Sequence, residues 1–144
     1  MIKIHTRLIA RIAPIVLLGA AMVGCAGAGE PKAEGPPLSG DEIRQLISGN
    51  TVSGAILAQQ FQFYYQADGK VSGAIDTVND DTGTWQIKDG NTYCHQWITF
   101  FDGVERCYQW VPLAGGRYRM GSVSAYHGEG IEVWKIEHGN PLGF

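Results

Sequence analysis

The sequence predicts a mainly β fold: an antiparallel up-and-down meander of about eight strands with one short N-terminal helix, closing into a small barrel lipocalin-like in shape, with an open, strongly curved sheet as the alternative. Three observations point there. After one short helical pattern, no further 3.6-residue apolar period occurs. Short runs of strand character alternate with turn residues along the rest of the chain. Asp68-Gly69, Asp89-Gly90 and Asp102-Gly103 stand between those runs, where the left-handed φ open to glycine suits hairpin turns.

The elements follow in order. The first eleven residues carry Lys3, Arg7 and Arg11 without an acid, and 12–23 (IAPIVLLGAAMV) is an apolar run too short to cross a bilayer permanently. Residues 1–24 therefore read as an export signal. Met22-Val23-Gly24-Cys25 resembles the bacterial lipoprotein box, with Met where Leu is usual, and that resemblance implies a diacylated Cys25 as first residue of the mature chain. The competing reading is signal cleavage after Ala26-Gly27-Ala28, which removes Cys25. The first leaves a protein anchored by acyl chains and facing the periplasm, and the second a soluble periplasmic one.

On either reading Cys25 is no partner for Cys94 and Cys107. These form an even pair in an oxidising compartment, the setting of a structural disulfide. Neither a CxxC nor a paired-histidine spacing occurs, so no metal, redox role or cofactor is expected. Loss of the signal removes three of the eleven basic residues, leaving eight against fourteen acids and a net charge of −6. Such a balance argues against nucleic acid and against a polybasic membrane patch, leaving acyl chains as the membrane contact and an envelope protein or glycan as the possible partner.

From 25 to 37 the chain is small residues, Pro and scattered charge, a lipidated Cys followed by a flexible tether, and 38–144 has the size of a single domain. Ser39-Gly40-Asp41-Glu42 fits a capping box opening a helix whose apolar stripe is Ile43, Leu46 and Ile47, ended at Gly49. Strands are expected over 51–57, 60–66, 71–78, 83–88, 92–98, 104–111, 117–123 and 131–137. Within the second, Phe61, Phe63 and Tyr65 alternate with Gln60, Gln62 and Gln66, a half-buried pattern. If the loop between the fifth and sixth strands is 98–103, Cys94 falls opposite Cys107, Tyr93 opposite Tyr108 and His95 opposite Arg106. A strict two-residue turn at Asp102-Gly103 would instead offset the cysteines by four residues, about 13 Å.

Gly49-Asn50-Thr51, Gly83-Thr84-Trp85, Asp89-Gly90, Cys94, Arg106-Cys107-Tyr108 and Gly139-Asn140-Pro141 together resemble, in that order, small exported alphaproteobacterial proteins of uncharacterised function. The resemblance covers 38–144 and implies an exported β-rich domain without supplying catalytic residues. Gly83-Thr84-Trp85 is also similar to the lipocalin signature, although about three strands precede it here.

Under the first register, one face of the cysteine hairpin carries Tyr93, His95, Trp97, Arg106, Tyr108 and Trp110. Turned outward, these rings and cations form a binding platform for a glycan or a protein; turned inward, they are barrel core. His127, Glu129, Glu137 and His138 stand in or beside Gly-rich segments, as exposed turn residues or as an acid/base or metal cluster. No nucleophile motif or phosphate-cradling loop is found, so no enzyme is expected. The expected function is a non-catalytic binding or interaction module of the cell envelope. A periplasmic inhibitor of a lysozyme or protease is second, and a hydrolase or metal-dependent enzyme using His127 or His138 is third.

Overall fold

A computed structural model describes residues 32–76, 79–123 and 130–144. The proposed signal 1–24, Cys25, His127 and Glu129 lie outside the described residues. A helix, α1 (Gly40–Ile47), precedes eight strands: β1 (Asn50–Ile56), β2 (Gln59–Tyr65), β3 (Lys70–Ile75), β4 (Asn79–Lys88), β5 (Thr92–Trp97), β6 (Arg106–Leu113), β7 (Arg117–Ser122) and β8 (Ile131–His138). Each strand pairs antiparallel with its neighbour in sequence, and β8 returns to β1, so the sheet is a closed barrel. Closure gives each of these strands a neighbour on both sides, the arrangement that protects sheet edges from other chains. The β1–β8 seam shifts register between Ser53 and Gly54, a bulge of the kind that lets a strongly curved sheet close.

The capping box forms as the sequence predicts: the Glu42 amide donates to Ser39 Oγ at 3.3 Å, and the Ser39 amide donates to Glu42 Oε2 at 2.7 Å. Ile43 and Ile47 are fully buried, and the Gly40 amide donates to the Gly90 carbonyl in the β4–β5 turn. The helix thus plugs the end of the barrel at which the β2–β3, β4–β5 and β6–β7 turns lie. At the opposite end are the connections after β1, β3, β5 and β7.

The larger differences from the sequence expectation arise where backbone pairing overrides side-chain pattern. β3 stops at Ile75 and β4 starts at Asn79, so Asp80 and Asp81, polar enough to look like a turn, pair with Ala74 and Gly73. β6 runs through Pro112 to Leu113. Proline is tolerated there because β5 has already ended on that side, leaving no strand to receive the missing N–H. The chain before the helix takes up the vacated position: the Glu34 amide donates to the Pro112 carbonyl, the Leu38 amide donates to that of Trp110, and Ala33 bridges Leu113. The segment expected as free tether up to residue 37 is therefore bound from Ala33 onward, since an unpaired lower half of β6 would leave buried carbonyls without donors.

Candidate functional site

The hairpin of β5 and β6 is built on three rungs: Tyr93 opposite Tyr108, Cys94 opposite Cys107 and His95 opposite Arg106. This is the register that the longer loop requires. Cys94 and Cys107 are joined by a disulfide on the outer face. Glu105 lies beside them, its Oε2 4.0 Å from Cys107 Sγ, held by Lys88 Nζ at 2.6 Å and Gln86 Nε2 at 3.0 Å. Cys94, Glu105 and Cys107 have the spacing of a metal-ligand cluster, but each sulfur is bonded to the other, so neither is available as a thiolate.

The six-residue ring face turns inward. Tyr93, His95, Trp97, Tyr108 and Trp110 are buried, and Arg106 is half-buried at the loop end. An outward platform is thus not what the fold builds, because these rings, with Phe61, Phe63, Tyr65 and Trp85, are the large side chains that fill the barrel. Tyr93 meets Tyr65 and Trp110 edge-on, at centroid separations of 5.9 Å in both cases, and His95 meets Tyr108 edge-on at 5.4 Å.

Polar atoms inside this cluster form a chain. The Tyr93 hydroxyl donates to Tyr65 Oη at 2.9 Å and lies 3.1 Å from His95 Nδ1. Trp97 Nε1–H donates to the same Nδ1 at 3.3 Å. Indole nitrogen is a donor only, so Nδ1 accepts and the neutral imidazole carries its proton on Nε2. That Nε2 is buried without a partner, as are Arg106 Nε and Trp110 Nε1. Burial, and secondarily the Arg106 charge, pushes the His95 pKa down to about 3. Burial likewise pushes the Tyr65 and Tyr93 hydroxyls well above the ordinary tyrosine range.

Over this chain sits the 98–105 loop. Phe101 and Asp102 take left-handed backbone, φ 56° and 60°, followed by Gly103 at 66°. For a side chain as large as Phe that conformation costs about 1 kcal/mol or more and persists only if the surroundings enforce it. The enforcement is visible. Asp81 Oδ2 accepts the amides of Thr99 and Phe100 at 2.8 and 2.7 Å, and Gln96 Nε2 donates to the Gly103 carbonyl at 2.9 Å. Burial opposes ionisation of Asp81, but its amide donors at Phe100, Thr99 and Thr82 outweigh it and hold the carboxyl below its usual value. The Phe101 ring is thereby laid flat on His95, 5.2 Å between centroids and 21° between planes, with the Arg106 guanidinium 4.9 Å from its centroid.

Asp81, Phe101 and Leu57 escaped sequence reasoning. Asp81 hides in the polar run NDDTG, and Phe101 and Leu57 stand in connections where apolar residues carry no periodic signal. The late histidine cluster gains no support among the described residues. His138 Nδ1 lies 3.2 Å from Asn50 Oδ1, and Glu137 pairs with Lys135 at 2.8 Å.

At the mouth, four of the exposed large apolar side chains share one end: Leu57 (71 % exposed), Ile98 (71 %), Val104 and Val123. Leu57 has φ 56° in the two-residue β1–β2 connection, the position that glycine prefers when only the first central residue is left-handed. No family description matches this chain, nor does any curated protein or solved structure.

Proposed function

We propose that this protein is a non-catalytic binding module of the cell envelope, anchored through Cys25, whose working surface is the rim of the barrel opposite the helix. The observation that carries the reading is Leu57. It occupies a left-handed position and is 71 % exposed, so it contributes strain and almost no burial to the fold. Such a residue has its use in what it touches outside the chain. Ile98 and Val104 flank the braced 98–105 loop at the same rim, and a loop already ordered before association loses little entropy on binding.

The occupant that fits is a protein. The chain enters the fold at Ala33, beside Leu113 at the helix end, so an anchor just upstream directs that end to the bilayer and the rim away from it. The net charge of −6 for the chain from Cys25 onward also disfavours an anionic lipid surface. Rigid presentation of an apolar loop supports the inhibitor of a lysozyme or protease as a second reading.

The test is capture from envelope fractions by wild type and by the pair of variants Leu57→Gly and Ile98→Ser. Leu57→Gly relieves the backbone strain and should stabilise the fold by about 1 kcal/mol. The expected result is a discrete partner retained by wild type and lost with the variants, although Leu57→Gly unfolds at higher denaturant. Capture that is indifferent to both substitutions, or no partner at all, would reject the reading.

A further inference from the structure

We propose that His95 Nε2 and Arg106 Nε, uncovered when the Phe101 ring swings aside, together bind the carboxylate of a small or peptidic ligand. This deepens the binding-module reading and rests on it, by naming the chemistry recognised at the mouth of the barrel.

Two orphaned donors stand on one rung. His95 Nε2 and Arg106 Nε are buried and without an acceptor, and their residues face each other directly across β5 and β6. A buried donor left unpaired is costly, more so on a permanent cation, and natural folds rarely leave two on one rung. The nearby acids of the described chain do not serve them. Glu105 is held on the outer face by Lys88 and Gln86, and Asp81 is engaged by the Thr99 and Phe100 amides. An acceptor from outside, with one negative charge to meet the one cation, completes the rung.

Carboxylate fits better than phosphate. It brings two coplanar oxygens for two donors, whereas phosphate brings further oxygens and up to a second charge into a surround of Trp97, Phe101 and Tyr108 rings. Phe101 is the lid. Its ring stacks on the His95 ring and its centroid lies 4.9 Å from the Arg106 guanidinium carbon, and the left-handed backbone at Phe101 and Asp102 is a strained state from which the loop can relax when the ring is displaced.

The test follows the His95 Nε2–H and Arg106 Nε–H resonances of the full chain by NMR. The probes are sodium acetate, N-acetyl-alanyl-alanine, the C-terminal amide of that peptide, and inorganic phosphate. Saturable shifts of both resonances with the free carboxylates and none with the amide are expected. Acetate binding as well as the peptide marks a small free acid as the ligand, and tighter binding of the peptide marks a chain terminus. Arg106→Lys keeps the charge but removes Nε, and should weaken binding at least tenfold; Phe101→Ala should speed association. Several outcomes overturn the site: no saturable shift, equal shifts with the amide, saturation by phosphate alone, or an Nε2–H bound to a trapped water and unmoved by every probe. The titration needs no partner protein. Its failure with rim-dependent capture intact rejects the carboxylate site alone, and the converse rejects the protein partner alone.

Discussion

His95 shows how far a single residue's chemistry depends on the fold. In an unfolded chain its imidazole titrates near 6.5, whereas in the barrel burial and then Arg106 bring the value down to about 3. Between those values the unfolded state binds a proton that the folded state refuses, so stability falls as pH is lowered through that window. The slope contributed approaches about 1.4 kcal/mol per pH unit. Urea unfolding at pH 7, 6 and 5 should show this decline, and His95→Gln should flatten it. Asp81 acts in a lower window that overlaps only the acid end of the first. Its carboxyl is held down by backbone amides, so its contribution is present above the unfolded value and disappears only below about pH 4. A slope between pH 5 and 6.5 that survives His95→Gln would contradict a neutral, buried imidazole.

Among the elements, the β5–β6 hairpin is both the most legible part of the sequence and, with β7–β8, one of two seams built on three rungs among the described residues. Its register could be derived because side-chain parity and a sulfur pair constrain the same loop. Parity sorted Tyr93, His95 and Trp97 from Cys94, Gln96 and Ile98. It could not say which set points inward, because both faces mix apolar and polar groups and only the closed barrel decides. The start of β4 was illegible for a different reason, since backbone pairing places Asp80 and Asp81 in the strand and their acidic side chains carry no strand signal in the sequence. The strap at 33–38 likewise exists only because β5 ends before β6 does. With three rungs, the hairpin depends on its cross-link. A disulfide closing a separation of 13 residues contributes about 3 kcal/mol in the chain-entropy account. The double variant Cys94→Ala, Cys107→Ala should lose about that much in denaturant unfolding. Hydrogen exchange at the Thr99 and Phe100 amides should accelerate, because the Asp81 brace rests on the same loop. A variant within 1 kcal/mol of wild type would mean that the strap and core hold the seam unaided.

For the whole molecule, the decisive property is polarity along the barrel axis. One end holds the helix plug, the bound strap and the point where the chain enters; the other holds Leu57, Ile98, Val104, Val123 and the Phe101 lid. Eight peptide steps separate Cys25 from Ala33, a reach of about 28 Å at most, so acyl chains on Cys25 would keep the plugged end near the bilayer and leave the rim free. The chain's charge is net negative, and among the described residues no helix is long and apolar enough to span a membrane. Acylation adds roughly 0.8 kcal/mol for each buried methylene, and two chains suffice for stable attachment. Cys25→Ser should therefore move the protein from the membrane pellet to the soluble envelope fraction, with the unfolding midpoint unchanged because Cys25 precedes every bound segment of the described residues. Vesicles containing phosphatidylglycerol should fail to recover it. Retention of the serine variant in the pellet would remove the anchor, and with it the argument that the rim is directed away from the membrane toward a protein.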